Sequence, residues 1–198
     1  LVQYNSFGAR GWIEEIYSEG LEVVMGDVRD ADSAREAVGG CSAVMHLAAL
    51  IAIPYSYRAP QSYVDTNVTG TLNVLSAARD LGVDLFVHTS TSEVYGSAKE
   101  VPMSENHPLQ GQSPYSASKI AADQLAWSFW ASYGLPVVTL RPFNAYGPRQ
   151  SDRAFIPSVV RQLLTGLNEV NVGDLSTKRD LTFVEDTATA FVRTMDSD

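Results

Sequence analysis

The run at residues 85–91 is mostly apolar and short enough for a buried strand, and the chain then reads as a helix leading to a second apolar strand. In the helical stretch, residues 114–132, Ser113 suits the N-cap, Pro114 the first turn and Gly134 the stop. The pattern recurs along the chain. It predicts strands at residues 1–4, 21–25, 43–47, 85–91, 137–141 and 170–172. Helices are expected at 9–18, 31–38, 62–81, 114–132, 154–164 and from Glu185. Such alternation implies an α/β fold, a doubly wound parallel sheet of Rossmann-like type. Val64, Val68, Leu72 and Leu75 fall at helical spacing and read as a packing stripe first and an interface second.

Chemistry concentrates where the strand at 85–91 opens into a loop, the end at which open α/β sheets bind ligands. Thr91, Ser92 and Glu93 stand there, and Tyr115 and Lys119 lie on the next helix at i, i+4, one turn apart on one face. A phenol titrates near pH 10, too high for a base at neutral pH, so a neighbouring ammonium or a cationic nicotinamide would be needed to favour the phenolate. Tyr115 would then be the base and Lys119 the group that makes it one. A Tyr and a Lys four apart also occur by chance; the strand before them and the strand after them give the pair its meaning.

The motifs stand in order: GDVRD at 26–30, VMHLAA at 44–49, TNVTGTLNVLSAAR at 66–79, TSTSEVYG at 89–96, YSASK at 115–119, RPFNAYGPRQ at 141–150 and RDLTFVEDTATAF at 179–191. Over nearly its whole length the chain resembles the extended short-chain dehydrogenase/reductases that act on nucleotide sugars, the NAD-dependent epimerase/dehydratase family. The resemblance implies that Asp27 and Val28 contact the adenosine end of NAD, and that Leu47, Ala48, Ala49, Thr89, Tyr115 and Lys119 line the rest of its path. Asp27 could instead be a turn-forming residue after Gly26. It also implies a first strand with a Gly-rich turn before residue 1 and most of a substrate domain after Asp198, so the chain reads as an internal fragment. Residues 1–150 would form the cofactor domain and 151–198 the start of the substrate region.

The second strand of this family normally ends in an acid that grips the ribose of NAD. Here Asn5, Ser6 and, further on, Arg10 stand instead, so NADP remains an alternative. Gly8 and Gly11 lack the third glycine of a phosphate turn, because Glu14 occupies its place.

The reaction turns on Glu93. The family's 4-epimerases need only Ser/Thr, Tyr and Lys, whereas its dehydratases carry a base for the C5 proton two residues after the threonine, where Glu93 stands. Many have an Asp between; Ser92 replaces it, as in the GDP-mannose dehydratase type, leaving the acid role to Glu93, Ser92 or water. The runs YNSFGARGW at 4–12, IAIPYSY at 51–57 and RPFNAYGPRQSDRAFIPSVV at 141–160 resemble 4,6-dehydratases of legionaminic-type sugar synthesis, which implies a nucleotide-activated N-acetylglucosamine as substrate. The alternatives are a 4-epimerase, a UDP-glucuronate decarboxylase and an inactive NAD(P)-binding relative. Asn144, Arg149 and Arg179 are the candidates for gripping the sugar diphosphate.

A net charge of −9 argues against nucleic acid as a partner, and no stretch approaches the ~20 apolar residues needed to span a bilayer. The single cysteine, Cys41, reads as a core thiol in a reducing, cytoplasmic compartment. His46 and His88 lie in apolar strand runs and read as core or hydrogen-bonded groups, and no cluster, at His107 or elsewhere, suggests a metal. The family's homodimers form through the 62–81 and 114–132 helices, with Leu72, Leu75, Leu125 and Phe129 as the expected contacts here.

Overall fold

The computed structural model describes residues 1–3, 10–16, 20–167 and 169–196. The chain forms two compact units, Leu1–Arg141 and Pro142–Asp198. The first holds five strands: β1 (Val2–Gln3), β2 (Met25–Gly26), β3 (Ala43–His46), β4 (Leu85–Thr89) and β5 (Val137–Leu140). β1 pairs with β2, β4 lies between β3 and β5, and every pairing is parallel. With a partner on each edge and helices against its faces, β4 buries Phe86, Val87 and His88 in succession. This explains why its sequence is a nearly unbroken apolar run rather than an alternation.

α1 (Ala31–Val38) begins at Asp30, whose carboxylate accepts from the Ser33 amide at 3.0 Å. Between β3 and β4 the chain passes through two short helices, α2 (Ile53–Ser56) and α3 (Pro60–Tyr63). It continues as a π-helical segment, Val64–Thr69, into α4 (Gly70–Leu81), which stops at Gly82 in the left-handed conformation. Gly70 is required by proximity, since a Cβ there would come within 2.8 Å of Val28 Cγ2. α5 (Pro114–Tyr133) has a reciprocal Ser113–Ser116 capping box and ends at Gly134. Val28, Ala34, Val38, Val74, Leu75, Ala78, Phe86, Ala126 and Phe129 form a core between these helices and the strands.

In the second unit, β6 (Asn144–Tyr146) pairs in parallel with β7 (Leu181–Phe183), accompanied by α6 (Phe155–Leu164) and α7 (Val184–Arg193).

Four expectations are corrected. Residues 170–172 form no strand; the second unit's ladder is built from residues 144–146 and 181–183. Cys41 is exposed, on the loop between α1 and β3, and is not a core thiol. Of the expected stripe on the 62–81 helix only Leu75 is fully buried. Val64 and Leu72 face outward, because the face turned inward carries Tyr63, Asn67, Thr71, Val74 and Ala78. Leu75 and Phe129 therefore belong to the core and are not available as intersubunit contacts. Asn5, Ser6 and Gly8 lie outside the described residues, as do both ends of the 9–18 helix, of which Gly11–Ile16 forms a 3-10 turn.

Candidate active site

β4 ends at Thr89, and the chain turns at Thr91 into a short 3-10 helix, Ser92–Tyr95. Thr91 caps it, its Oγ1 accepting from the Glu93 amide at 3.2 Å. The turn can close because Gly96 has φ of 66°, and a Cβ there would sit 2.5 Å from the Gln110 carbonyl oxygen. The capping box at Ser113 starts α5 so that Tyr115 and Lys119 face inward toward β4, both buried. The Thr91 hydroxyl lies close enough to the Tyr115 phenol to favour the phenolate, and the Glu93 carboxylate close enough to disfavour it. Thus the hydroxyl, the carboxylate and the phenol expected from the sequence are brought together, with Ser92 half-buried in the same turn.

Lys119 and Tyr115 share a face of α5, but no hydrogen bond joins them among the described residues. Burial pushes the Tyr115 phenol above its ordinary value, with the nearby Thr91 hydroxyl opposing. The Lys119 ammonium donates instead to the Thr89 carbonyl at 2.5 Å, and burial lowers its pKa to about 8 with Asp123 opposing. In this arrangement desolvation governs the phenol, because Tyr115 is packed edge-on against Tyr63 at 6.2 Å between ring centroids.

Several residues not singled out in the sequence hold the site. Asn67, in the π segment, donates to the Leu50 carbonyl and to Ser118 Oγ, each at 3.0 Å. It accepts from the Leu50 amide at 2.8 Å. Ser118 in turn donates to the Tyr115 carbonyl at 2.7 Å, so the segment that carries Asn67 is tied to the turn of α5 that carries Tyr115. A second network runs under Lys119. Asp123 accepts from His88 Nε2 at 3.1 Å and from Arg141 Nε at 3.0 Å, and Arg141 also donates to the Tyr95 hydroxyl at 3.2 Å. His46 and His88 are buried and neutral. Burial lowers His46 to about 3, and burial lowers His88 against the opposing bond to Asp123. The proton of His46 sits on Nε2 and is donated to Thr71 Oγ1 at 3.0 Å, since the Thr71 hydroxyl spends its own proton on the Asn67 carbonyl. An acid at position 123, four residues beyond Lys119 on the same helix face, is the sequence signal that could have revealed the second network.

Beyond the ends of β2 and β3 lies a groove of about 370 Å³ lined by Gln3, Gly26, Asp27, Val28, Ala48 and Ala49 together with Arg29, Leu50, Ser62 and Thr66. It therefore gathers Asp27, Val28, Ala48 and Ala49; Leu47 is exposed and does not line it. Asp27 is chelated by Arg29, whose guanidinium donates at 2.6 Å and holds the carboxyl below its ordinary range by hydrogen bonding. The groove fits the adenosine end of a dinucleotide, with polar and apolar groups lining a cleft at the strand ends; away from it, at the end of β4, the buried Thr89 Oγ1 has no hydrogen-bond partner among the described residues.

Within the second unit, the Asn144 amide donates to the Asp180 carbonyl at 3.2 Å, placing Asn144 beside the segment that carries Arg179. Arg149 lies on the turn after the other end of β6, with φ of 67°. Both arginines are exposed. Among the described residues no group of His, Cys, Asp and Glu is arranged to hold a metal ion, and no helix is long and apolar enough to cross a membrane.

Parallel ladders with helical crossovers, and a Thr–Tyr–Lys set at the strand ends, define a Rossmann-like protein of the epimerase/dehydratase class. The whole chain, residues 1–198, matches the model of the GDP-mannose 4,6 dehydratase family, and it belongs to that family. It is 40% identical over 163 residues to the dTDP-glucose 4,6-dehydratase of Streptomyces antibioticus, covering 82% of this chain and 49% of that protein. The crystal structure of DesIV, a dTDP-glucose 4,6-dehydratase from Streptomyces venezuelae with NAD and TYD bound, superposes with a TM-score of 0.89. The identity is 34%, covering 96% of this chain and 59% of that one. A UDP-N-acetylglucosamine 4-epimerase from Methanobrevibacter ruminantium, in complex with UDP-N-acetylmuramic acid, gives 0.85 at 33% identity over 91% and 59%. The chain spans about half the length of the curated relatives it matches.

Proposed function

We propose that the protein is an NAD-dependent nucleotide-sugar 4,6-dehydratase acting on a nucleotide-activated hexose of the N-acetylglucosamine type. The observation that carries the reading is the cluster of Thr91, Glu93 and Tyr115, in which a carboxylate and a hydroxyl from one turn both act on the buried phenol. NAD, which Asp27, Val28, Ala48, Ala49, Thr89 and Lys119 would hold, would supply reversible hydride acceptance from the sugar. The chain's own groups handle protons. Tyr115, oriented by Thr91, removes the proton of the C4 hydroxyl, and the Lys119 cation favours the phenolate once charge develops. A ketone at C4 acidifies C5, and Glu93 takes that proton. The C6 hydroxyl departs as water on receiving a proton from Glu93, Ser92 or a water molecule; the hydride taken from C4 would then return to C6 and a proton to C5, so that no external oxidant or reductant is consumed. Asn144, Arg149 and Arg179 bind the diphosphate by charge-assisted hydrogen bonds.

Residues 1–150 are assigned to cofactor binding and 151–198 to the start of the substrate region. The hexosamine substrate is supported by the IAIPYSY and RPFNAYGPRQ runs and by the likeness to an N-acetylglucosamine epimerase. A homodimer is supported by the outward apolar residues Val64, Leu72, Trp127 and Trp130 on the two long helices. A cytoplasmic location is supported by a lone thiol with no second cysteine in the chain to pair with.

The epimerase among the structural neighbours supplies the second reading, and Glu93→Gln separates the two. The variant of a dehydratase should still oxidise C4, accumulating reduced cofactor and 4-keto sugar. It should lose C5 proton exchange with solvent and slow roughly 10²–10⁴-fold. Product formed at the parent rate, with inversion at C4 by NMR, would establish the epimerase instead.

A further inference from the structure

We propose that Asp123 is a positioning residue for Lys119: its buried carboxylate, clamped between His88 and Arg141, is the counter-charge that keeps the Lys119 ammonium protonated beside Thr89. The inference rests on the assignment of Lys119 to the site described above. Lys119 and Asp123 are 4% and 3% exposed and stand one turn apart on the same face of α5. A buried ammonium without an anion sheds its proton, since desolvation penalises only the charged form.

Several ionisable groups face this pair. His46 comes from β3, His88 from β4, Tyr115 from α5, Glu93 and Tyr95 from the 3-10 turn, and Arg141 from the end of β5. Burial keeps both histidines neutral near pH 7, so neither supplies charge. Tyr115 is held in its neutral form, chiefly by burial. Glu93 acts on Tyr115, at the other end of the set. Asp123 is thus the anion on the Lys119 face. Burial alone would raise its carboxyl, but the His88 hydrogen bond and the Arg141 charge outweigh that and hold it below the ordinary range. His88 Nε2 must carry the proton, because an ionised carboxylate only accepts.

The same carboxylate reaches the Glu93 turn. Arg141 bonds Asp123 with Nε and lies over the Tyr95 ring at 5.4 Å, while its Nη1 donates to the Tyr95 hydroxyl. Tyr95 belongs to the 3-10 turn that carries Glu93. One buried acid therefore connects the helix of Tyr115 and Lys119 to the turn of Thr91 and Glu93.

The test is a side-chain NMR titration of the purified protein carrying isotope-labelled lysine. The chain has three lysines, and exposed Lys99 and Lys178 serve as internal references. The Lys119 midpoint should lie near pH 8 in the parent. In Asp123→Asn it should fall by at least about one pH unit, the effect expected of losing a nearby opposite charge. Because removing one partner of a buried pair can unfold a protein, the double variant Asp123→Asn/Arg141→Gln, which leaves no unpaired guanidinium, should show the same fall. Arg141→Gln alone retains the carboxylate and should not lower the midpoint. An unchanged Lys119 midpoint in either folded Asp123 variant overturns the proposal, as does a parent midpoint below about pH 7. The titration needs no substrate, so it stands apart from the reaction: a failure to dehydrate any nucleotide sugar counts against the proposed function and leaves this result intact.

Discussion

The two long helical segments of the first unit carry equivalent loads by different means. α5 is capped at both ends and turns a mixed face inward, with Tyr115, Lys119 and Asp123 set among Ala122, Ala126 and Phe129. The segment from Pro60 to Leu81 passes through a π-helical stretch and buries Asn67 and Thr71 while leaving Val64 and Leu72 outside. Each segment holds one buried histidine: Thr71 binds His46, and Asp123 binds His88. Hydrophobic spacing alone therefore misleads where polar side chains have buried partners to satisfy. A fully hydrogen-bonded Asn inside, together with a Leu outside, is a stable solution.

The largest effect that would sharpen this contrast lies on α5. Tyr115→Phe should keep the fold, read by circular dichroism, and lower turnover by at least about 10²-fold, since it deletes the proposed acid–base group. Turnover near the parent rate would return Tyr115 to the core. On the other segment, Leu75→Ala should cost about 2–5 kcal/mol in urea unfolding, because Leu75 is fully buried in the core. Asn67→Ala should cost about 1–3 kcal/mol, through the Leu50 amide and carbonyl it leaves unpaired. It should also perturb Tyr115, because Ser118 loses its second partner.

Acid should act mainly through the histidines. Between pH 6.5, the ordinary value of His46, and its folded value of about 3, the unfolded chain binds a proton that the folded one refuses. Stability should therefore decline as pH falls below 6.5, by up to about 1.4 kcal/mol per pH unit for one such group. Urea midpoints measured as a function of pH should show a flatter acid limb in His46→Gln; an identical slope would mean that His46 is protonated in the native state. The smallest effect belongs to Leu72→Ala. It should change the stability of a subunit by no more than about 0.5 kcal/mol yet weaken a dimer measured by light scattering.

Much of the architecture was legible because it depends on local signals. Ser113, Pro114 and Gly134 mark the ends of α5 through backbone hydrogen bonding and φ, which a sequence states directly. The short ladder of the second unit was not legible. Asn144–Tyr146 and Leu181–Phe183 are three residues each, and only their pairing across a long separation makes them strands.

By itself the sequence determined the alternation of strands and helices through the first unit, the parallel arrangement, the family, and the placing of Thr91, Glu93, Tyr115 and Lys119 on successive elements, because period, caps and motif spacing are local properties. Only the tertiary structure decided which face of each helix is inside, which groups face Lys119, and which way the Tyr115 phenol is driven. Those outcomes depend on desolvation and on partners from distant parts of the chain: Thr89, His88 and Arg141 around α5, and Leu50 around Asn67. Burial and charge act through space, and residues far apart in sequence set them.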